Sequence, residues 1–464
     1  MKPSTLSLVD AAESVREGRI SSVELVEDCL QRVEAVDGAI QAWAFLDPEH
    51  ARRQARAADE HRAAGRTIGP LHGVPIGIKD LFDTSDYPTE FGSALWKGRT
   101  PRHDAAAVAR LRAAGAIIMG KTVTTEYAYF HPGKTRNPHD STRTPGGSSS
   151  GSAAAVAAGM VPAAIGSQTN GSVIRPAAFC GVVGFKPTHG LIPRSGALLL
   201  SRTLDHVGVF ARSVTDAALL ADVLAGHDED DPDTRPIASP QLALTAAGEP
   251  PLPPRLAFVK GAPWQAAEPV LDEAFGELVD ALGDIVQPLD LGHTFDKAIE
   301  FHGTVMAVEM AHNFRRDLAQ GGDVLSVQLR ELLERGSKQT ALAYLEATSS
   351  VETFNRALDD VFGEYDAILT ACAPGEAPIG MATGNPIFCS TWSLLGTPAV
   401  TLPLLEGPNG LPIGVQLIGR RGNDARLLRT ARWLAARVSK SAGRRASSSR
   451  QKAGGAGASK RSRK

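Results

Sequence analysis

Cysteine, aromatic residues and long apolar runs are all scarce in this chain. Only four of its 464 residues are cysteine, and aromatic side chains make up 5%. So few cysteines cannot build the disulfide framework of a small secreted domain, and we expect a reducing, cytoplasmic setting. No apolar segment follows Met1 and Lys2, and no uninterrupted apolar run reaches about 18 residues. These absences argue against a secretory leader and against insertion into a membrane.

Residue patterns that bind metal ions are missing as well. The twelve histidines are scattered along the chain and form no His-Glu-x-x-His motif. The four cysteines form no Cys-x-x-Cys pair, since they stand at Cys29, Cys180, Cys372 and Cys389. We therefore expect neither a metal ion nor a cofactor.

Two glycine-rich stretches that carry serine are present instead. Residues 145–152 read Pro-Gly-Gly-Ser-Ser-Ser-Gly-Ser, and residues 168–172 read Gln-Thr-Asn-Gly-Ser. Between them, alanine-rich residues 152–158 favour a helix that stops at Gly159, and residues 161–165 are typical of a buried strand. Each stretch therefore lies at the edge of a regular element.

A lone lysine stands in a third stretch, Gly-Val-Pro-Ile-Gly-Ile-Lys-Asp, at residues 73–80. Val74, Ile76 and Ile78 alternate on one face of a predicted strand, which puts Lys79 on the other face. A serine hydroxyl needs an adjacent base to act as a nucleophile, and a lysine in water has a pKa of about 10.4 and is protonated. Burial brings the pKa of catalytic lysines toward about 7–8, so a desolvated Lys79 can serve as that base.

Together these stretches resemble the signature of the amidase signature family. The likeness extends through residues 120–138, 184–188 and 414–433 and covers nearly the whole chain to about Val438. The resemblance implies an amide-cleaving hydrolase. Its variant of the signature is similar to the malonamidase-type branch.

The resemblance also implies a catalytic triad of serine, cis-serine and lysine. These roles map onto Ser172 as the nucleophile, Ser148 as the proton relay and Lys79 as the base. The family further nominates the backbone N–H groups of the loop that ends at Ser172 as the oxyanion hole, namely those of Thr169, Asn170 and Gly171.

The chain departs from the commonest family pattern around this loop. Gln168 stands where many members have aspartate, and Ile174 stands where they have arginine, while Arg175 moves the positive charge one position along. A guanidinium suits bidentate recognition of a carboxylate, so we interpret Arg175 as a contact to an acidic substrate. The alternative is that Arg175 pairs with an internal acid or caps a carbonyl. Ser149 and Gln168 are the other candidate substrate contacts.

Residues 115–122 imitate a phosphate-binding loop. They read Gly-Ala-Ile-Ile-Met-Gly-Lys-Thr, which places two glycines, lysine and threonine at the right intervals. The intervening residues are apolar and partly β-branched, however, and they are typical of the strand itself. We therefore expect no nucleotide to bind here.

Strands alternating with helices from Gly73 to Ala225 predict an α/β fold. We expect one large mixed, mostly parallel β-sheet that is covered by helices on both faces. Further strands are expected in the second half of the chain, at Leu256 to Val259, Ala367 to Leu369, Ala399 to Leu402 and Pro412 to Ile418.

The chain is expected to form a single domain over residues 1–438. Its parts are a signature half at about 66–226, a surface connection rich in Asp and Pro at 228–254, and a helical roof over the pocket at about 295–362. The tail at residues 439–464 carries nine basic residues and no acid, and we expect it to be disordered. Contact of this tail with a polyanion is the less favoured alternative to a solvated appendage, and no nucleic-acid partner is expected.

The predicted function is hydrolysis of a small linear amide through an acyl-enzyme on Ser172. The nearest alternative is the glutaminase subunit of an aminoacyl-tRNA amidotransferase, which shares the triad. An alternative of another class is a non-catalytic scaffold that binds polyanions through its tail. The residues identify neither the acyl nor the amine part of the substrate, and a homodimer is only the default expectation for a soluble enzyme.

Overall fold

The computed structural model describes residues 2–440, in which eleven strands form one sheet. In chain order the strands are β1 (Trp43–Leu46), β2 (Pro75–Lys79), β3 (Ile117–Thr122), β4 (Ala163–Gln168), β5 (Val183–Lys186), β6 (His206–Ala211), β7 (Leu256–Phe258), β8 (Val286–Pro288), β9 (Ala367–Ala371), β10 (Ala399–Glu406) and β11 (Pro412–Ile418). Their order across the sheet is β1-β3-β2-β4-β6-β5-β10-β11-β9-β7-β8.

Helices alternate with these strands through the described residues. They are α1 (Leu8–Arg16), α2 (Ser22–Ile40), α3 (Pro48–Ala63), α4 (Ala106–Ala113), α5 (Ser150–Ala157), α6 (Ile174–Cys180), α7 (Val214–Leu224), α8 (Leu242–Ala247), α9 (Pro269–Leu282), α10 (Ala298–Asn313), α11 (Arg315–Gly321), α12 (Val327–Ser337), α13 (Ala341–Glu364) and α14 (Ile387–Leu394). A last helix occupies residues 424–440.

The predicted α/β fold with a large mixed sheet is confirmed. The sheet is less parallel than expected, because only the pairs β2–β3, β2–β4, β7–β8 and β7–β9 are parallel. The central strands β6, β5, β10 and β11 are antiparallel to their neighbours. A short turn joins β10 to β11, and only antiparallel strands can be joined in that way.

The strand β2 is buried along its whole length, since it pairs with β3 on one side and with β4 on the other. This position explains why apolar residues on one face of β2 and small residues on the other are all shielded from water. It also carries the last residue of β2, Lys79, into the interior.

The segment whose sequence matches the phosphate-loop pattern, residues 115–122, contains a strand, as predicted. Residues 117–122 form β3, and the buried Lys121 amine donates to the Thr89 hydroxyl at 2.6 Å and lies 3.2 Å from the Asp80 carboxylate. Because these partners already engage Lys121, its amine is not presented to a phosphate.

Residues 228–254 are more ordered than a simple surface connection. They contain the short helix α8, and Asp231 in this segment is buried and pairs with Arg194 at 2.8 Å. The sequence of this segment, rich in Asp and Pro, does not predict these contacts, because Arg194, the partner of Asp231, lies in another part of the sequence.

None of the helices in residues 2–440 combines the length and hydropathy that a bilayer crossing requires. Within the same residues, no three His, Cys, Asp or Glu side chains come together as a set of metal ligands. The basic tail that we expect to be disordered lies almost wholly outside the described residues, which end at Lys440.

Candidate active site

Lys79 is a fully buried amine at the end of β2. Hydrogen bonds join its Nζ to Ser148 Oγ at 2.7 Å and to Ser167 Oγ at 2.9 Å. Burial holds the pKa of Lys79 well below its usual range, and the charge of Asp205 opposes this only in part. The lowered pKa favours the neutral form of this amine, whose lone pair can accept a proton.

Ser148 lies in the turn that leads into α5. The peptide bond between Gly147 and Ser148 is cis, the isomer that the family resemblance implies. Gly146 has a φ of +79°, a backbone conformation that favours glycine. A side chain at Gly147 would bring its Cβ to 2.7 Å from Thr383 Cγ2, so the approach of Thr383 also requires glycine here.

Ser172 lies between β4 and α6 and lines a small cavity together with Ser148. In the described residues no hydrogen bond links the two serine hydroxyls directly. The cavity measures about 20 Å³, which is room for about one water molecule. Tyr129, Phe130, Leu200 and Met306 also line this cavity.

Two buried side chains hold Thr169, the first residue of the predicted oxyanion loop. The Thr169 hydroxyl donates to the Asp205 carboxylate at 2.6 Å, and a ring nitrogen of His302 lies 3.0 Å from the Thr169 carbonyl oxygen. Burial raises the pKa of Asp205 to about 6 and lowers that of His302 to about 4. His302 is therefore neutral at pH 7, and its ring N–H can donate to the carbonyl.

The helix α14 holds the next residue of the loop. Ser390 donates to the Asn170 side-chain oxygen at 2.8 Å, and Ser393 donates to the Asn170 carbonyl at 2.5 Å. Among residues 2–440, the backbone N–H groups of Asn170, Gly171 and Ser172 donate to no protein acceptor. Fixed amides without acceptors are what an oxyanion hole requires.

Arg175 is 3% exposed and lines the same cavity. Its Nη2 donates to the Gly147 carbonyl oxygen at 2.8 Å, while its Nε and Nη1 are buried without a hydrogen-bond partner. Burial lowers the pKa of Arg175 to about 10, so the guanidinium stays charged at neutral pH. The side chain thus caps a carbonyl and keeps two donor nitrogens, Nε and Nη1, for another acceptor.

The other two candidate substrate contacts lie outside the cavity. Gln168 is fully buried, accepts hydrogen bonds from the amides of Val173 and Ile174 at 2.9 and 3.0 Å, and donates to Ser393 at 3.0 Å. Ser149 is also fully buried, and its hydroxyl bonds the backbone of Ser167. Both side chains shape the loop from behind, because protein groups already engage them.

Several residues at this site were not predicted from the sequence. Ser167 carried a weak signal, since it lies on β4, the neighbour of β2. The others gave no local signal, because each reaches the loop from a distant part of the chain: Asp205, His302, Ser390 and Ser393.

The chain is similar to known proteins along almost its whole length. A family model described as Amidase matches residues 24–428. A glutamyl-tRNA(Gln) amidotransferase subunit from Chloroflexus aurantiacus is 36% identical over 470 residues, which cover 91% of this chain and 95% of that protein. The Mycobacterium bovis protein named as amidase AmiD is 36% identical over 450 residues, which cover 92% of this chain and 93% of that protein.

Solved structures share the fold. One, described as an unexpected vestigial protein complex that reveals the evolutionary origins of an s-triazine catabolic enzyme, superposes with a TM-score of 0.86 at 30% sequence identity. The match covers 94% of this chain and 99% of that chain.

Proposed function

The chain belongs to the amidase signature family, and we propose that it hydrolyses the C–N bond of a small linear amide to a carboxylate and ammonia or an amine. The observation that carries this proposal is the buried amine of Lys79, which lies 2.7 Å from the Ser148 hydroxyl beside the cavity that Ser172 lines. A neutral lysine next to a serine hydroxyl can accept a proton, and a solvent-exposed one cannot.

In the proposed reaction Ser172 Oγ attacks the carbonyl carbon of the amide. The Ser172 proton passes to Ser148 Oγ while the Ser148 proton passes to Lys79 Nζ. When the tetrahedral intermediate collapses, the C–N bond breaks and the protons return by the same route to the leaving amine. Water then attacks the acyl ester on Ser172 with the same base, which releases the carboxylate and restores the free serine.

The developing oxyanion is bound by the backbone N–H groups of Thr169, Asn170, Gly171 and the nucleophile Ser172. Removal of one such donor typically costs about 3–4 kcal/mol of activation free energy. The contacts from Asp205 and α14 support this role, because they hold the loop before any substrate arrives.

Arg175 binds an anionic group of the substrate in this proposal. Its two buried donors without a partner support the assignment, because a buried N–H that stays unpaired is costly and a bound carboxylate would satisfy it. Arg175→Ala should therefore reduce kcat/KM more for malonamate than for a neutral amide of similar size. An equal loss on both amides would show that Arg175 only supports the Gly147 carbonyl.

A glutaminase component of an amidotransferase is the second candidate, favoured by the 36% identity to the Chloroflexus aurantiacus protein. The changed loop, in which the neutral Gln168 caps α6, argues for the free amidase instead. Release of ammonia from glutamine, measured beside an anilide, malonamate and indoleacetamide, separates the two candidates. Turnover of glutamine alone would favour the amidotransferase component.

Covalent labelling with a fluorophosphonate tests the nucleophile. We expect labelling of the wild type, none of Ser172→Ala, and strongly slowed labelling of Ser148→Ala. Ser149→Ala is the matched control, since its side chain lies outside the cavity, and it should still react. A label that persists in Ser172→Ala would refute the assignment, and a wild type that never reacts would favour the scaffold alternative.

A further inference from the structure

A second and much larger cavity lies in the other half of the sheet. It measures about 880 Å³ and opens where the parallel strands β7, β8 and β9 end. Its walls include residues 259–263 after β7, residues 289–293 after β8, and Thr370 near the end of β9. Small-molecule sites commonly occupy about 300–1,000 Å³, so this cavity has the size of a ligand site.

The strand order makes this place a topological switch point. Within the sheet β7 lies between β9 and β8. The chain passes from β7 through α9 to β8 on one side, and then returns through α10 to α13 to β9 on the other side. In open α/β sheets the crevice at the carboxyl ends of such strands is the usual place of ligand binding.

The walls of this cavity are apolar while its charged groups are mostly acidic. Phe258, Leu289, Ile299, Phe388 and Trp392 supply the apolar surface. A ligand that fills the cavity therefore needs a hydrophobic body.

The cations at the cavity are already neutralised. Lys260 bonds Asp272 at 2.7 Å and lies over the Trp264 ring, and His293 bonds Asp296 at 3.0 Å. Two further carboxylates of the lining, Asp280 and Asp290, take part in no ion pair within residues 2–440. The free charge that faces a ligand is therefore negative.

We propose that this cavity is a second binding site, which takes an apolar ligand with a cationic group, such as an arylalkylamine. The hydrophobic body lies against Phe258, Phe388 and Trp392, and the ammonium group lies between Asp280 and Asp290. The carboxylates of Asp280 and Asp290 are exposed and favour a cation over an anion by a modest amount, while the apolar walls supply most of the affinity.

Occupancy of this site is transmitted to the reacting centre through two helices. On α14, Phe388 and Trp392 line the cavity while Ser390 and Ser393 hold Asn170. On α10, Ile299 lines the cavity, and His302 one turn later holds the Thr169 carbonyl. A ligand that shifts either helix therefore moves the loop that carries the oxyanion donors. This second part rests on the proposed function, whereas the binding itself does not.

Calorimetry with 4-phenylbutylamine tests the site, with 4-phenylbutanoate and 4-phenylbutan-1-ol as probes of opposite and no charge. We expect the amine to bind most tightly. Asp280→Asn and Asp290→Asn should each weaken the amine by about two- to fivefold and leave the alcohol unchanged. Equal affinity for the amine and the carboxylate would overturn the proposal.

A variant with a larger side chain on the wall of the cavity gives a second test of ligand binding. Gly276 lies one turn before Asp280 on α9, and a Cβ there meets nothing within 4 Å. Gly276→Leu should abolish binding of the amine. Gly38→Leu is the control, since Gly38 is also helical with open space around it, and it should bind like the wild type. Binding that survives in Gly276→Leu would refute the site.

The coupling has its own measurement, which is the rate of fluorophosphonate labelling with and without saturating amine. We expect this rate to change in the wild type and in Gly38→Leu and to stay constant in Gly276→Leu. An unchanged rate in a wild type that binds the amine would refute the coupling. A wild type that binds the amine but never labels would refute the proposed function and leave the binding site standing.

Discussion

Replacement of Lys79 by methionine tests whether the buried amine is neutral. Methionine has a similar length and no charge, so the change removes the titrating group and fills much of the same space. Burial holds the pKa of Lys79 well below its usual range, whereas a lysine in the unfolded chain has a pKa of about 10.4. Between these two values the unfolded state binds more protons than the folded state, so the free energy of unfolding of the wild type rises with pH.

The size of this pH dependence follows from the one proton that Lys79 binds in the unfolded state and not in the folded state. The Lys79 amine contributes about 1.4 kcal/mol of unfolding free energy per pH unit inside that window, and Lys79→Met lacks this contribution. The stability of the variant relative to the wild type should therefore fall by about 1.4 kcal/mol for each pH unit gained. The lost hydrogen bonds to Ser148 and Ser167 cost about 1 kcal/mol each, but they shift the comparison equally at every pH.

Urea unfolding of both proteins at about pH 7, 8 and 9 measures this difference, because these pH values lie below the pKa of about 10.4 of a lysine in the unfolded chain. Lys97→Met serves as the control, because Lys97 is exposed, and its pH dependence should match that of the wild type. Parallel curves for Lys79→Met and the wild type would mean that the folded protein keeps Lys79 protonated. The proposed base would then be lost, and with it the reaction.

Two of the remaining predictions rest on contacts of single residues, and a third concerns the basic tail. Ser167→Ala should lower kcat by about fivefold with little change in KM, because one hydrogen bond that orients the Lys79 amine is lost. Gly336→Ala should lower the free energy of unfolding by about 2 kcal/mol or more, since its Cβ would clash with the Ala307 carbonyl oxygen. Gly303→Ala is the control, because the space around Gly303 is open. In the same urea assay this control should raise the free energy of unfolding by about 0.5–1 kcal/mol. Truncation after Val438 should leave the turnover of a small amide unchanged, and a large fall in that turnover would assign the tail a role.

Local patterns in the chain were enough to identify the fold class and the family. The alternation around Lys79 and the alanine-rich helix after Ser148 depend on neighbouring residues, and such patterns can be read directly from a sequence. The short strands β1, β5 and β6 were not predicted, because their stability comes from pairing within a large sheet rather than from their own composition.

Only the tertiary structure determines which groups the site residues contact. The sequence offers Gln168 as a candidate substrate contact, and the structure adds that its side chain caps α6. Arg175 both caps a carbonyl and lines the cavity. The second cavity left no motif, since strands that are distant in the sequence build it. A sequence by itself specifies the chemistry of each side chain and the spacing of apolar residues that marks each helix or strand. The burial that lowers the pKa of Lys79 and the contacts that hold the loop at Asn170 arise only when remote segments pack together and exclude water.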